Sequence, residues 1–281
     1  MKYSRCCRSA LWTAGSAPKR YSVGHNSGAD VCVVDLEDSV SPGKKEAARR
    51  QAEFFFSSPS ATLTRCGIRI NSLSELDGLR DLLAIQRYPV KPAIVVIPKV
   101  ETARDVEIVE EILGQTCPET CFFAIVETPR GLENAAAIAT ASDRLRALVF
   151  GVADYSFSIG ARRSWEAMAY ARSKLINSAS VGNVEVVDSP MFEISNIGEL
   201  RRECTMAQEL GFSGKAAIHP SHVSTINEVF SLDSATLETA QRVVAASQNH
   251  DLDVAVVGGT TEEMLFFEAS RRLLEEFRLS S

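Results

Sequence analysis

Eight short apolar runs recur along the chain, at residues 10–14, 31–35, 67–70, 93–97, 121–126, 147–150, 184–187 and 216–218. They are continuous rather than alternating, which marks strands buried on both faces in a parallel sheet covered by helices. Most are followed by a stretch with helical spacing, at 44–55, 73–85, 103–113, 132–141, 165–179 and 199–210. Parallel neighbours need crossovers of that length. Eight such strands in about 210 residues predict a closed (β/α)8 TIM barrel, with an open doubly wound sheet as the alternative. Beyond the eighth run, 232–247 and 261–277 read as two further helices around a short apolar run at 254–257. The chain thus divides into residues 1–230, a barrel carrying the active site, and residues 231–281. The latter read as a C-terminal helical appendage packing on the barrel or on a neighbouring subunit.

Composition narrows the function classes. Lysine plus arginine is 30 and aspartate plus glutamate is 36, a net charge of −6, which argues against a general nucleic-acid binder. No run approaches the length of a membrane-spanning helix. Residues 1–17 are basic and then mildly apolar, but without the long apolar core of a signal peptide; they read as the first strand and its loop. The seven cysteines are an odd number with no CxxC pair, which predicts buried free thiols in a reducing, cytoplasmic setting. No GxSxG elbow, GxGxxG fingerprint or P-loop is present.

In a barrel the active site is built at the C-terminal ends of the strands. Those ends carry Asp35-Leu36-Glu37-Asp38, Arg69 with Asn71, Lys99 with Glu101, Glu127, Asp154 and His219. Five carboxylates at one mouth (Asp35, Glu37, Asp38, Glu127 and Asp154) repel one another unless a positive charge joins them. Glu127 and Asp154, with waters and substrate oxygens, suit Mg²⁺. Asp154 equally suits a helix cap. Arg69 offers a planar fork for a substrate carboxylate, or joins an internal network with Glu37 or Asp38. The two roles are compatible, because such a network holds the guanidinium in place. Lys99 attracts an acid or phosphate, or pairs with Glu101. His219 and His222 are three apart, but Pro220 between them reads as a loop rather than a metal-binding turn.

These motifs, in their order and spacing, resemble the citrate lyase beta subunit-like group of the HpcH/HpaI aldolase family, which includes malyl-CoA and citramalyl-CoA lyases. The resemblance runs from Arg8-Ser9 through Gly28-Ala29-Asp30, Asp35-Leu36-Glu37-Asp38-Ser39-Val40 and Arg69-Ile70-Asn71. It continues with Pro98-Lys99-Val100-Glu101, Val126-Glu127-Thr128 and Phe150-Gly151 with Asp154, and closes on Ile218-His219-Pro220. It implies a TIM barrel assembled as a homotrimer or hexamer, with Mg²⁺ on Glu127 and Asp154. It implies that Arg69 binds the carboxylate and carbonyl end of the substrate, while Glu37 and Asp38 orient that arginine and metal-bound waters. The implied reaction is cleavage of a short 3-hydroxyacyl-CoA to a 2-oxo acid and an acyl-CoA. Coenzyme A needs phosphate-binding cations along the rim, for which Arg8, Lys19, Arg20 and Lys45 are candidates.

Two positions depart from the family pattern. Phe266 falls where many relatives carry an aspartate that moves a proton across a subunit boundary. Ala153 stands where many carry a glutamate beside the metal-binding aspartate. The departures keep three alternatives open: cleavage of an acyl-carrier-protein thioester, a malyl-CoA-type thioesterase, and a non-catalytic barrel that binds a keto acid.

Overall fold

A computed structural model describes residues 7–57, 65–231, 234–248, 254–257, 260–263, 270–271 and 274. The order of elements in the larger unit begins β1 (Ser9–Ala14), α1 (Tyr21–His25), β2 (Val31–Asp35), α2 (Lys45–Phe56), β3 (Arg65–Arg69) and α3 (Leu76–Arg87). Next come β4 (Ile94–Ile97), α4 (Ala103–Leu113), β5 (Cys121–Val126), α5 (Pro129–Glu133), α6 (Ala135–Ala139), β6 (Leu145–Phe150) and α7 (Val152–Ser158). It ends with α8 (Trp165–Gly182), β7 (Glu185–Asp188), α9 (Ile197–Leu210), β8 (Gly214–Ala217) and α10 (Val223–Phe230). The strands are parallel and in sequential order, and β1 pairs with β8 to close the barrel. The open-sheet alternative is thereby excluded.

Strand parity explains both the core and the site. Alternate residues of a strand face opposite sides of the sheet. Val31 and Val33, Ile94 and Val96, Phe123 and Ile125, and Ala147 and Val149 pack together inside the barrel. Their neighbours, including Val34, Val95, Ala124 and Leu148, join the larger cluster beneath the helices. Continuing the inward parity by one more step reaches Asp35, Glu127 and Gly151, and the same face of β3 ends on Arg69. The residues that fill the barrel and the residues of the mouth are therefore one set of positions, read upward.

The outward parity carries a buried ion network. Asp188 and Lys215 are register partners on β7 and β8. The Lys215 ammonium donates to Asp188 Oδ2 at 2.6 Å and pairs with Glu203 on α9 at 3.0 Å. Arg172 on α8 donates through Nε to Asp188 Oδ1 at 2.9 Å and lies 4.3 Å over the Trp165 ring. Asp188 and Lys215 are fully buried. One network thus fastens two strands to two helices.

Several elements differ from the sequence reading. The helix expected over 132–141 is broken at Asn134, whose backbone closes α5 and starts α6. The short α7 was not foreseen, because seven residues carry too little periodicity to stand out. The eighth strand lies at 214–217, not 216–218; its fully buried Lys215 is a polar residue that interrupts the apolar signal.

The chain divides into two compact units, residues 6–230 and a second that takes in residues 231–281. The second contains α11 (Ser234–Gln248) and an antiparallel pair, β9 (Val254–Val257) and β10 (Thr260–Glu263). The helix expected from residue 261 onward is corrected at its start, where Thr261–Glu263 belong to β10. The β-branched residues Val254, Val256, Val257, Thr260 and Thr261 favour a pleated strand over a helix. Helical residues follow at 270, 271 and 274. Phe266 lies outside the described residues. Among those described, Cys7, Cys32, Cys66, Cys117, Cys121 and Cys204 are in no disulfide, and no helix is long and apolar enough to cross a membrane.

Candidate active site

Arg69 is the centre of the mouth. Asp35 and Arg69 are register partners on β2 and β3, and parity turns both side chains inward. Asp35 takes the guanidinium on both oxygens, from Nε at 2.7 Å and from Nη2 at 2.7 Å. Burial raises the Asp35 carboxyl, but the Arg69 charge and hydrogen bonds outweigh it and hold it below the ordinary carboxylate range. Glu37 Oε2 lies 2.7 Å from Arg69 Nη1, off the line of its N–H bonds, so this contact is an ion pair without an aligned hydrogen bond. Asp38 stands further out, 3.9 Å from the same nitrogen. The sequence reading named Glu37 and Asp38 as partners of Arg69 and left out its principal one, Asp35. The parity of the two strands was the signal that could have found it.

Lys99 joins this group from the end of β4. Its ammonium donates to Glu37 Oε1 at 2.5 Å and lies 3.6 Å from Asp38 and 3.9 Å from Asp154. It does not pair with Glu101, whose carboxylate accepts from the Thr128 hydroxyl at 3.0 Å. Burial works against the Lys99 charge, but Glu37, Asp38 and Glu127 hold its pKa above the usual lysine range. The Lys99 backbone N–H donates to Glu127 Oε1 at 2.8 Å.

Glu127 is only 4% exposed. Burial, reinforced by Glu37 and Asp154, pushes its carboxyl up to about 8, against the pull of the Lys99 N–H and Arg69. Asp154 sits in the first turn of α7 and is half-exposed to the mouth. Gly151 packs on Glu127: a Cβ there would stand 2.4 Å from the Glu127 Cβ and 2.5 Å from its Oε2, so the missing side chain leaves room for the glutamate. Among the described residues, no group of three or more His, Cys, Asp or Glu forms a ready-made metal cage. Two carboxylates beside open space are the donor set that suits Mg²⁺, which keeps several waters and takes substrate oxygens. Glu127 and Asp154 fit that ion.

A pH dependence follows. A cation held by Glu127 would bind its ionised form and compete with its proton, so its affinity would fall as pH drops below about 8. Without the cation, the raised carboxyl favours the folded state at low pH, and that stabilisation is lost as pH rises from the unfolded value toward 8. The Mg²⁺-induced rise in Tm is therefore expected to be larger at about pH 8.5 than at about pH 6.5, a difference read by thermal melts in chelator and in excess Mg²⁺. An equal rise at both pH values contradicts it.

A cavity of about 790 Å³ opens beside this group. Asp35, Asp38, Arg69, Glu127 and Asp154 form its charged side; Leu11, Trp12, Val23, Val149 and Phe192 are among its apolar lining. His219 reaches the same cavity but shares its Nδ1 with the Ser221 hydroxyl at 2.7 Å, while His222 is buried with Nε2 against the Ile194 carbonyl. They do not form a metal pair.

The four rim cations separate into two pairs. Lys19 and Arg20 lie exposed in a single 3-10 turn after β1, and Arg20 borders the cavity. Arg8 does not belong there. It precedes β1, at the opposite end of the barrel, where its side chain donates to Asp30 through Nε at 3.0 Å and Nη2 at 2.8 Å. Lys45 is likewise corrected. It is buried, and its three donors go to the Leu36 carbonyl, the Glu37 carbonyl and Asn71 Oδ1, which leaves none for a phosphate. Asn71 in turn donates twice to Asp81, which accepts Arg49 Nε at 2.6 Å. Lys45 is thus part of a buried support beneath the loop that carries Glu37.

Known proteins resemble this chain over most of its length. The chain is 31% identical to a (3S)-malyl-CoA thioesterase of Cereibacter sphaeroides over 272 residues, 95% of this chain and 93% of that protein. It is 28% identical to the citrate lyase subunit beta of Escherichia coli, over 99% of this chain and 95% of the relative. Among solved structures it is similar to RipC from Yersinia pestis, with a TM-score of 0.73 and 34% identity, covering 83% of this chain and 99% of that one. It is also similar to CitE from Mycobacterium tuberculosis in complex with magnesium, acetoacetate and coenzyme A, with a TM-score of 0.79 and 26% identity, covering 97% and 98% of the two chains. The family model for HpcH/HpaI aldolase/citrate lyase matches residues 8–220, and the chain belongs to that family.

Proposed function

We propose that the protein is a Mg²⁺-dependent carbon–carbon lyase that cleaves a short 3-hydroxyacyl-CoA, of the citramalyl-CoA or malyl-CoA type, to a 2-oxo acid and an acyl-CoA. The observation that carries this reading is the Arg69 guanidinium, fixed by Asp35 and Glu37 at a mouth that also presents Glu127 and Asp154. Asp35 takes two of the five N–H groups, which leaves donors on both terminal nitrogens for a substrate carboxylate. Magnesium and coenzyme A, held by the Mycobacterium tuberculosis relative together with the 3-oxo acid acetoacetate, are two of the ligands this reading requires.

In the cleavage, the proton of the 3-hydroxyl leaves to a base and the C2–C3 bond breaks. Its electron pair stays on the α-carbon of the thioester fragment, which takes up a proton to become the acyl-CoA. Arg69 binds the carboxylate that ends in the 2-oxo acid and holds the breaking bond in one orientation. Glu127 and Asp154 hold Mg²⁺, which when bound supplies a Lewis acid for the oxygen at the reacting carbon. Asp35, Glu37 and Asp38 keep the guanidinium aimed. Lys19 and Arg20 offer positive charge to the coenzyme A phosphates. The protein is proposed to act in the cytoplasm as a homotrimer or hexamer.

A second reading is hydrolysis of the thioester, favoured by the 31% identity to proteins named (3S)-malyl-CoA thioesterase. The two readings differ in their products. Purified protein with Mg²⁺ and a panel of 3-hydroxyacyl-CoA thioesters is assayed for 2-oxo acid and for free CoA separately. Release of oxo acid without free CoA is expected. Free CoA without oxo acid contradicts the lyase and supports the thioesterase.

A further inference from the structure

Lys99 has a backbone φ of 51°, in the left-handed region that long side chains rarely adopt. This conformation places two of its groups on two different carboxylates. The backbone N–H binds Glu127, and the ammonium reaches Glu37, with Asp38 and Asp154 beyond it. These three partners of the ammonium come from different parts of the chain: Glu37 and Asp38 follow β2, and Asp154 lies on α7. A lysine that only required neutralising has Glu101 two residues away and does not use it. The ammonium is also one-third exposed.

We propose that Lys99 acts as the resident counter-cation of the acidic mouth, tempering its affinity for the divalent cation and raising its affinity for the oxo acid. The proposal rests on the assignment of Glu127 and Asp154 to Mg²⁺ made above. A fixed positive charge beside Asp154 repels an incoming cation and competes with it for the carboxylate. The same charge attracts the carboxylate of an oxo acid. Lys99 therefore weakens Mg²⁺ binding and strengthens that of the oxo acid. A role confined to holding the loops in place has another signature: its loss weakens both ligands.

The test is calorimetry of wild type, Lys99→Met and Lys99→Arg, with Mg²⁺ alone and then with pyruvate at saturating Mg²⁺. Methionine keeps the length and the backbone demand of lysine and removes the charge. In Lys99→Met, Mg²⁺ affinity is expected to rise about tenfold and pyruvate affinity to fall about tenfold. In Lys99→Arg, which keeps the charge, both are expected to stay within about threefold of wild type. Mg²⁺ affinity that is unchanged or weaker in Lys99→Met, while wild type binds the ion, overturns the assignment to Lys99 alone. Absence of Mg²⁺ binding in wild type itself overturns the metal assignment, and the present proposal with it.

Discussion

Arg69→Ala is expected to weaken 2-oxo acid binding by at least about 100-fold, because it removes the fork and leaves Asp35 as an uncompensated buried charge beside the ligand, with Glu37 paired to Lys99 alone. Both effects have the same sign for an anionic ligand. Mg²⁺ behaves differently: Glu127 and Asp154 remain, and losing a nearby positive charge does not disfavour a cation. Calorimetry with pyruvate and with Mg²⁺ separates the two, and thermal melts monitor the folded state. Arg69→Lys keeps the charge but not the bidentate geometry, and is expected to recover only part of the affinity. Unchanged pyruvate affinity in Arg69→Ala contradicts the role given to this residue.

Asp188→Ala is expected to lower the stability of the barrel by about 3–5 kcal/mol, the cost of leaving buried cations without their partner. Lys215 and Arg172 both donate to Asp188, so one truncation strands two positive groups between β7, β8 and α8. Glu203 compensates Lys215 only from one side. Burial raises the Asp188 carboxyl, but the two cations outweigh it and lower its pKa. Its stabilisation is accordingly present at neutral pH and is lost only as pH falls below the ordinary carboxylate range, about 4. Urea denaturation at neutral pH reads the effect as a lower midpoint. A loss below about 1 kcal/mol contradicts the account of the network.

The barrel was legible because its strands are short, apolar and evenly separated by helical stretches. The acidic loop after β2, Arg69, Glu127 and Asp154 were legible because charges stand out at the ends of apolar strands. Lys215 was not. A buried lysine is neutralised by residues distant in the chain, and nothing local to 213–217 points to Asp188 or Glu203. Lys45 and Arg8 misled for a related reason: a cation reads as a surface charge until its acceptors are known. Lys99 was ambiguous because its partner is selected by a left-handed backbone, which a Pro-Lys-Val-Glu string does not announce. The start of β10 was read as helix because its Thr-Thr-Glu-Glu stretch runs into a region of helical spacing, and its strand partner lies before the Gly258-Gly259 pair.

The central claim is that one mouth binds a 2-oxo acid through Arg69 and a divalent cation through Glu127 and Asp154. It is tested most directly by titrating wild-type protein with pyruvate in Mg²⁺ and in chelator, alongside Glu127→Gln in Mg²⁺. Pyruvate is expected to bind wild type at least about tenfold more tightly with Mg²⁺, and Glu127→Gln is expected to lose that gain. Equal pyruvate affinity with and without Mg²⁺, or a gain that survives in Glu127→Gln, contradicts it.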